Sequence, residues 1–332
     1  VKDREAWLNL TTEEAIDPEL PICDPHHHLW IHPGSRYLPD DFRRDIGHGH
    51  NVVKTVFIEC LQFYHTEGDE DFQPVGETAY VDRITAKTPM DSSTQVAAGI
   101  VGFADLTLGE KVRPVLDAHI AASPRFRGIR HACAWHSSER IHNAHTNPPR
   151  HLLRSQVFRA GLEQLAGLGL SFDTWVFHSQ LPELVEVARA FPRLDIILNH
   201  MAGPLGIGPY AGQREEVFRQ WRQYMAELSR CENVYVKLGG RTLTMSGFGW
   251  HKGKRPPGSI ELAGAMAPYF DACIELFGTG RCMFESNFPV DRASCSYTVL
   301  WNAFKRATRG YTDPERAALF HDTAAGIYRL AN

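Results

Sequence analysis

The chain has 332 residues, 43% of them hydrophobic, so it can bury one large core; 35 basic against 39 acidic residues leave a formal charge of −4. That balance offers no field for a polyanion and argues against nucleic acid as a partner. No apolar run approaches the ~20 residues of a membrane span, and residues 1–7 are charged, without a signal-peptide core. Seven scattered cysteines with no Cys-x-x-Cys pair argue against zinc ribbons and disulfide frameworks. They fit reduced thiols in a cytoplasmic protein.

Taken in chain order, eight short β-branched or apolar runs alternate with helical patterns. The runs are 22–24, 52–59, 96–103, 126–131, 171–177, 194–199, 234–238 and 282–285. Most are continuous rather than alternating, as expected for parallel strands buried on both faces. Between them, 77–87, 110–122, 155–168, 182–191, 214–231 and 260–277 carry apolar residues at three- and four-residue spacing. A further helix is expected over 297–309, after the eighth strand. Thr312-Asp313-Pro314-Glu315 then supplies a cap, a first-turn proline and an early acid. Eight strand–helix alternations predict a single-domain (β/α)₈ barrel, a TIM barrel. A doubly wound sheet is the alternative, but no Gly-rich phosphate turn follows any strand. The loops 132–154 and 239–259, after the fourth and seventh strands, are long and are expected to wall or cover the catalytic face.

Polar residues at strand ends are the candidates for chemistry. Asp24-Pro25-His26-His27-His28-Leu29-Trp30 closes the first strand. Residues two apart share a side of a strand, so His26 and His28 face one site and His27 faces away. Two such imidazoles can bind a divalent metal or donate to a carbonyl or anionic substrate. His200, in Asn199-His200-Met201-Ala202-Gly203-Pro204, ends the sixth strand; His178 follows the fifth, where a structural role at a helix entry is the alternative. Glu285, Asn287 and Asp291 follow the eighth. Glu59, Arg130 and Lys237 are charges set in apolar strands, which are costly unless paired. Arg130 can clamp a substrate carboxylate, and Glu59 and Lys237 can be structural partners. Trp250 and His251, in the second long loop, are candidate pocket residues.

As an ordered set, the Asp24–Trp30 motif, Phe126-Arg127-Gly128-Ile129-Arg130, Gln180-Leu181-Pro182-Glu183-Leu184, Asn199–Pro204 and Ser286-Asn287-Phe288-Pro289-Val290-Asp291 resemble the amidohydrolase-2 family. The resemblance is greatest to its lactonase-like branch, which includes 2-pyrone-4,6-dicarboxylate lactonase and sugar-acid lactonases. It spans about Asp24 to Leu330. It implies hydrolysis of a lactone or related cyclic ester or amide, with a small carboxylate-bearing substrate. It also implies a centre of His26, His28 and His200 with an eighth-strand aspartate. Some members hold a metal there, zinc or manganese being the expected ion on His26, His28 and His200, whereas the pyrone lactonase does without one. Here Asn287 stands where many relatives have that aspartate. A neutral amide ligates weakly and takes no proton from water, which keeps metal-free chemistry open and leaves Asp291, Glu285 or Glu59 as replacement base.

The expectation is therefore a hydrolase whose catalytic residues are His26, His28, His200, Asn287 and Asp291. Arg130, His178, Glu59, Trp250 and His251 are expected at the substrate. The alternatives are a non-oxidative decarboxylase at the same site and a barrel that only binds its ligand. The sequence carries no interface signature for a homo-oligomer.

Overall fold

The computed structural model describes residues 4–86 and 94–331. Its centre is one eight-stranded sheet, entirely parallel, built from β1 (Ile22–His27), β4 (Val52–Ile58), β5 (Gln95–Gly102), β6 (Phe126–Arg130), β7 (Ser171–Thr174), β8 (Ile196–Leu198), β9 (Val234–Leu238) and β10 (Cys282–Phe284). Each strand pairs with the next one in that series. The ends meet through main-chain bonds of His28 N to Phe288 O at 2.7 Å and Asn287 N to His26 O at 2.9 Å. The sheet is therefore a barrel, and all eight expected strands are in it. A hairpin not anticipated from sequence, β2 (Trp30–His32) and β3 (Ser35–Tyr37), rises directly after β1.

Strand alternation sorts the side chains. Val56, Ile58, Val101, Ile197 and Met283 point into the barrel and pack with Ala324, Ile327, Tyr328 and Leu330, which plug its lower end. Their neighbours Phe57, Ile100, Ile129, Phe172, Ile196 and Phe284 point outward under the helices. The helices fall close to the expected spans, at Val75–Thr85, Arg113–Ala122, Gln156–Leu168, Leu181–Ala190, Arg214–Leu228, Ser259–Phe277 and Tyr297–Ala307. Lys87, placed in the first of these from sequence, lies outside the described residues, as do Val1, Lys2 and Asp3. The final helix starts at Asp313, where Glu315 accepts from the Thr312 amide and hydroxyl, both at 2.8 Å. None of the described helices is long and apolar enough to cross a membrane.

The inward series changes character at the upper, C-terminal ends of the strands. Arg130, Asp173, Lys237 and Glu285 continue the inward positions of β6, β7, β9 and β10, and all are buried. This is the end at which barrel enzymes carry their chemistry.

Candidate active site

Charged groups in a barrel core must be paired, and two of the cations here are. Arg130 donates from Nε to Glu59 Oε1 at 2.7 Å and from Nη2 to the Glu59 carbonyl. His145, from the 132–154 loop, lies 3.0 Å from the same Glu59 oxygen. Burial pushes the Glu59 carboxyl up, but Arg130 and His145 outweigh it and hold the group well below the usual carboxylate range. Lys237 Nζ is 2.9 Å from Asp173 Oδ1, which also accepts from Tyr328 at 2.7 Å and Asn199 at 3.2 Å.

Glu285 is different. Among the described residues its ion-pair neighbours are only imidazoles: His200 Nδ1 at 2.6 Å from Oε1 and His26 Nδ1 at 2.7 Å from Oε2. The His200 amide also donates to Oε1, at 3.0 Å. Oε2 is close to His26 but has no hydrogen bond of good geometry. A buried carboxylate with no guanidinium or ammonium partner and an unsatisfied oxygen is a natural place for added positive charge. That charge can be an imidazolium proton or a cation.

The backbone is bent to make this pairing. His200, Met201, Ala202 and Gly203 all have positive φ, from 42° to 60°. Left-handed backbone costs roughly 1–2 kcal/mol for each residue bearing a Cβ. The turn is held by Trp221 Nε1 donating to Met201 O at 2.8 Å and Arg241 Nη1 to Pro204 O at 2.7 Å. Two glycines leave the space. A Cβ on Gly239 would sit 2.3 Å from Glu285 Cγ, and one on Gly240, whose φ is +65°, would sit 2.6 Å from His200 Cβ.

His28 shows which nitrogen it offers. Its Nδ1 lies 2.8 Å from the Ile58 carbonyl, which can only accept, so Nδ1 carries the proton. Burial, then Arg130, holds His28 well below its usual pKa. The neutral ring therefore presents the Nε2 lone pair to the cavity that it lines. It is poised to accept or ligate rather than to donate. His27 faces away, with Nε2 2.9 Å from Thr55 Oγ1 and its ring stacked on Phe42. His26 is wholly buried between Lys237, 3.3 Å from Nδ1, and Arg130, 3.4 Å from Nε2. Burial and then Lys237 keep it neutral.

Above these groups lies a cavity of about 620 Å³, floored by His28, Arg130, His200 and Asn287. Asn287 donates from Nδ2 to Asp291 Oδ1 at 3.3 Å. Burial pushes the Asp291 carboxyl up to about 8, against the pull of Thr242 and Asn287 beside it.

Of the candidates from sequence, His26, His28, His200, Asn287, Asp291, Arg130 and Glu59 come together. His28, His200, Asn287 and Arg130 line the cavity and His26, Asp291 and Glu59 lie behind them, whereas His178, Trp250 and His251 lie apart. His178 opens a short 3₁₀ turn, is buried, and meets the Tyr210 ring at 4.9 Å. Trp250 stacks on Phe248 at 4.3 Å, and His251 lies beside it. Among the described residues, the tight cluster of possible metal donors is also not the histidine trio. It is His26, His200 and Glu285, with ligand atoms all within 4.8 Å of one another. Two imidazoles and a carboxylate suit zinc or a similar divalent ion, and the unsatisfied Glu285 oxygen fits that use. Sequence reasoning did not anticipate His145, Trp30, Trp175 or Leu61 at the cavity.

Comparison with known proteins now decides the family. Residues 23–330 match the family model described as Amidohydrolase. This chain belongs to the amidohydrolase family. Within it, the chain is 33% identical to the uncharacterized protein y4mH of Sinorhizobium fredii (strain NBRC 101917 / NGR234), over 94% of this chain and 99% of that one. It is 28% identical to an L-fucono-1,5-lactonase of Burkholderia ambifaria, over 92% of this chain and 95% of that enzyme. An amidohydrolase from Burkholderia multivorans, solved with bound zinc, shares the fold with a TM-score of 0.71 and 22% identity, covering 93% of this chain and 99% of that one.

Proposed function

We propose that this amidohydrolase opens a lactone by attack of water at the cavity floor. The observation that carries the reading is the His200–Glu285 pair. His200 Nδ1 is tied to a buried carboxylate, and the ring lines the cavity beside Arg130. The family match and the lactonase among its relatives support the reaction class.

In this reading water attacks the ring carbonyl carbon and His200 Nε2 takes its proton. Glu285 orients the imidazole and stabilises the imidazolium that forms, as the acid of a catalytic triad does. The oxyanion develops against Arg130 Nη1, the guanidinium edge not bonded to Glu59. Collapse breaks the ring C–O bond, and His200 returns the proton to the leaving oxygen. Asp291, raised to about 8, holds its proton at neutral pH and is a poor base. It fixes the Asn287 amide instead, leaving Oδ1 to accept from the attacking water. Because Nε and Nη2 of Arg130 are engaged by Glu59, a substrate carboxylate would meet one guanidinium edge rather than a free fork.

His26, His200 and Glu285 are the residues that would hold a divalent metal. Such an ion supplies carbonyl polarisation and an acidified water when bound. Metal content of the purified protein, compared with His26→Ala, tests that site directly, and an equal content in both would reject it.

The function is tested on a panel of γ- and δ-lactones, following proton release, mass gain of one water and carbon dioxide. Ring opening without carbon dioxide is expected. Carbon dioxide from an aromatic acid with every lactone intact would replace this reading with a decarboxylase.

A further inference from the structure

The floor of the cavity is polar, and much of its wall is apolar. Trp30, Leu61, Trp175, Leu243, Met245 and Val290 form that part, drawn from the hairpin and the loops that follow β4, β7, β9 and β10. Among the described residues, no aspartate or glutamate lines the cavity. Much of its polar lining is already engaged: His145 and Arg130 by Glu59, Asn287 by Asp291, and Gln62 by the Ile31 amide at 3.1 Å. A polyhydroxylated ring would leave hydroxyls facing apolar walls, each losing hydrogen bonds to water without replacement. A volume of about 620 Å³ also lies within the range that holds drug-sized ligands, which leaves room beyond a five- or six-membered ring.

One wall residue is placed there against local backbone preference. Leu61 has φ +58°, left-handed backbone that a branched apolar residue rarely adopts. The residue is 40% exposed and lines the cavity. The conformation is imposed from below. The wholly buried Glu77 accepts through one oxygen, Oε1, from the Cys60 amide at 3.0 Å and the Gln62 amide at 2.9 Å. The backbone is therefore pinned on both sides of Leu61, which stands out from the turn. Strain of this kind persists where the surroundings impose it, and it clusters at ligand sites. An exposed apolar side chain held in a strained turn gains nothing in the free protein. It gains when an apolar group covers it.

We propose that the cavity takes a lactone bearing an apolar substituent, and that Leu61, set by the Glu77 clamp, is a specificity-determining residue that covers this substituent. The proposal rests on the lactone-hydrolase reading for its ring. The reacting carbonyl lies on the polar floor, and the substituent rises between the tryptophans and Leu61.

The test measures binding and turnover separately, on γ-butyrolactone, its γ-hexyl derivative and D-glucono-1,5-lactone. Binding is measured by calorimetry over the first minutes or, for wild-type and variants that hydrolyse the ring, in the His200→Ala background. The γ-hexyl lactone is expected to bind at least about tenfold more tightly than either other ring. Leu61→Gly relieves the left-handed strain, so the melting temperature should hold or rise. The γ-hexyl to parent affinity ratio should fall about tenfold. Leu61→Asn tolerates the same backbone and should lower the ratio as well. Equal binding of the γ-hexyl and parent rings, tighter binding of the gluconolactone, or an affinity ratio untouched by both substitutions would overturn the proposal. Turnover decides the underlying reading independently: selective binding with no ring opening by the unmodified enzyme would reject the hydrolase and leave the specificity assignment standing.

Discussion

Replacing Glu285 by Gln keeps the shape of the side chain and removes its charge. In the enzyme Glu285 lies 2.6 Å from His200 Nδ1 and 2.7 Å from His26 Nδ1, fully buried. Stabilising an imidazolium at ~4 Å between charge centres is worth about 4 kcal/mol at an effective dielectric constant near 20. At about 1.4 kcal/mol per decade, kcat for lactone opening should fall roughly a thousandfold. Stability should not follow. Glu285 has no guanidinium or ammonium partner among the described residues, so neutralising it removes a buried charge that is costly to keep. The assay pairs steady-state kinetics with urea unfolding of the same preparations. A variant within threefold of wild-type kcat would refute the argument that this carboxylate supports proton transfer. A large loss of stability alongside the activity would show that the group is structural instead.

Gly240→Ala should lose more than tenfold in kcat/KM and about 1–2 kcal/mol of stability, because its Cβ would sit 2.6 Å from that of His200; kinetics and unfolding at matched pH check both. Lys237→Met should destabilise by about 3 kcal/mol or more by stranding Asp173 in the core, and adding Asp173→Asn should recover much of it in urea unfolding. His119, wholly buried on Thr78 and the Phe103 carbonyl, is held down to about 4 from 6.5 by burial. The folded state then binds fewer protons than the unfolded state between those values, so stability falls as pH drops from 6.5 towards 4. The loss from this one group is on the order of 3 kcal/mol, and His119→Gln should flatten the pH dependence of the melting temperature in that window.

The strands were legible because each inward–outward run is buried on both faces and therefore reads as continuous hydrophobicity. Alternation also carries one step past a strand end. It carries from Met283 to Glu285 in the eighth strand and from His26 to His28 in the first. Beyond that step it fails. His178 lies four residues past Thr174, after the chain has left the strand, and its ring turns to Tyr210 rather than the cavity. Trp250 and His251 sit in a long loop whose course depends on Gly247 and Gly249 at positive φ, information a periodic pattern does not carry. His145 had no local signal: its role comes from Glu59, 86 residues away. The β2–β3 hairpin was missed because its strands are three residues each, too short to show a period. Leu61 was hidden for a different reason, since a leucine in left-handed backbone contradicts its own propensity and is explained only by Glu77 beneath it.

The most direct test of the central claim is single-turnover lactone opening by the unmodified protein and by His200→Ala, with folding verified by circular dichroism and melting temperature. The account predicts ring opening by the former and at least a thousandfold slower opening, on the order of what removal of a paired general base costs, by the folded variant. Equal rates in the two would contradict it, placing the chemistry somewhere other than the His200–Glu285 pair.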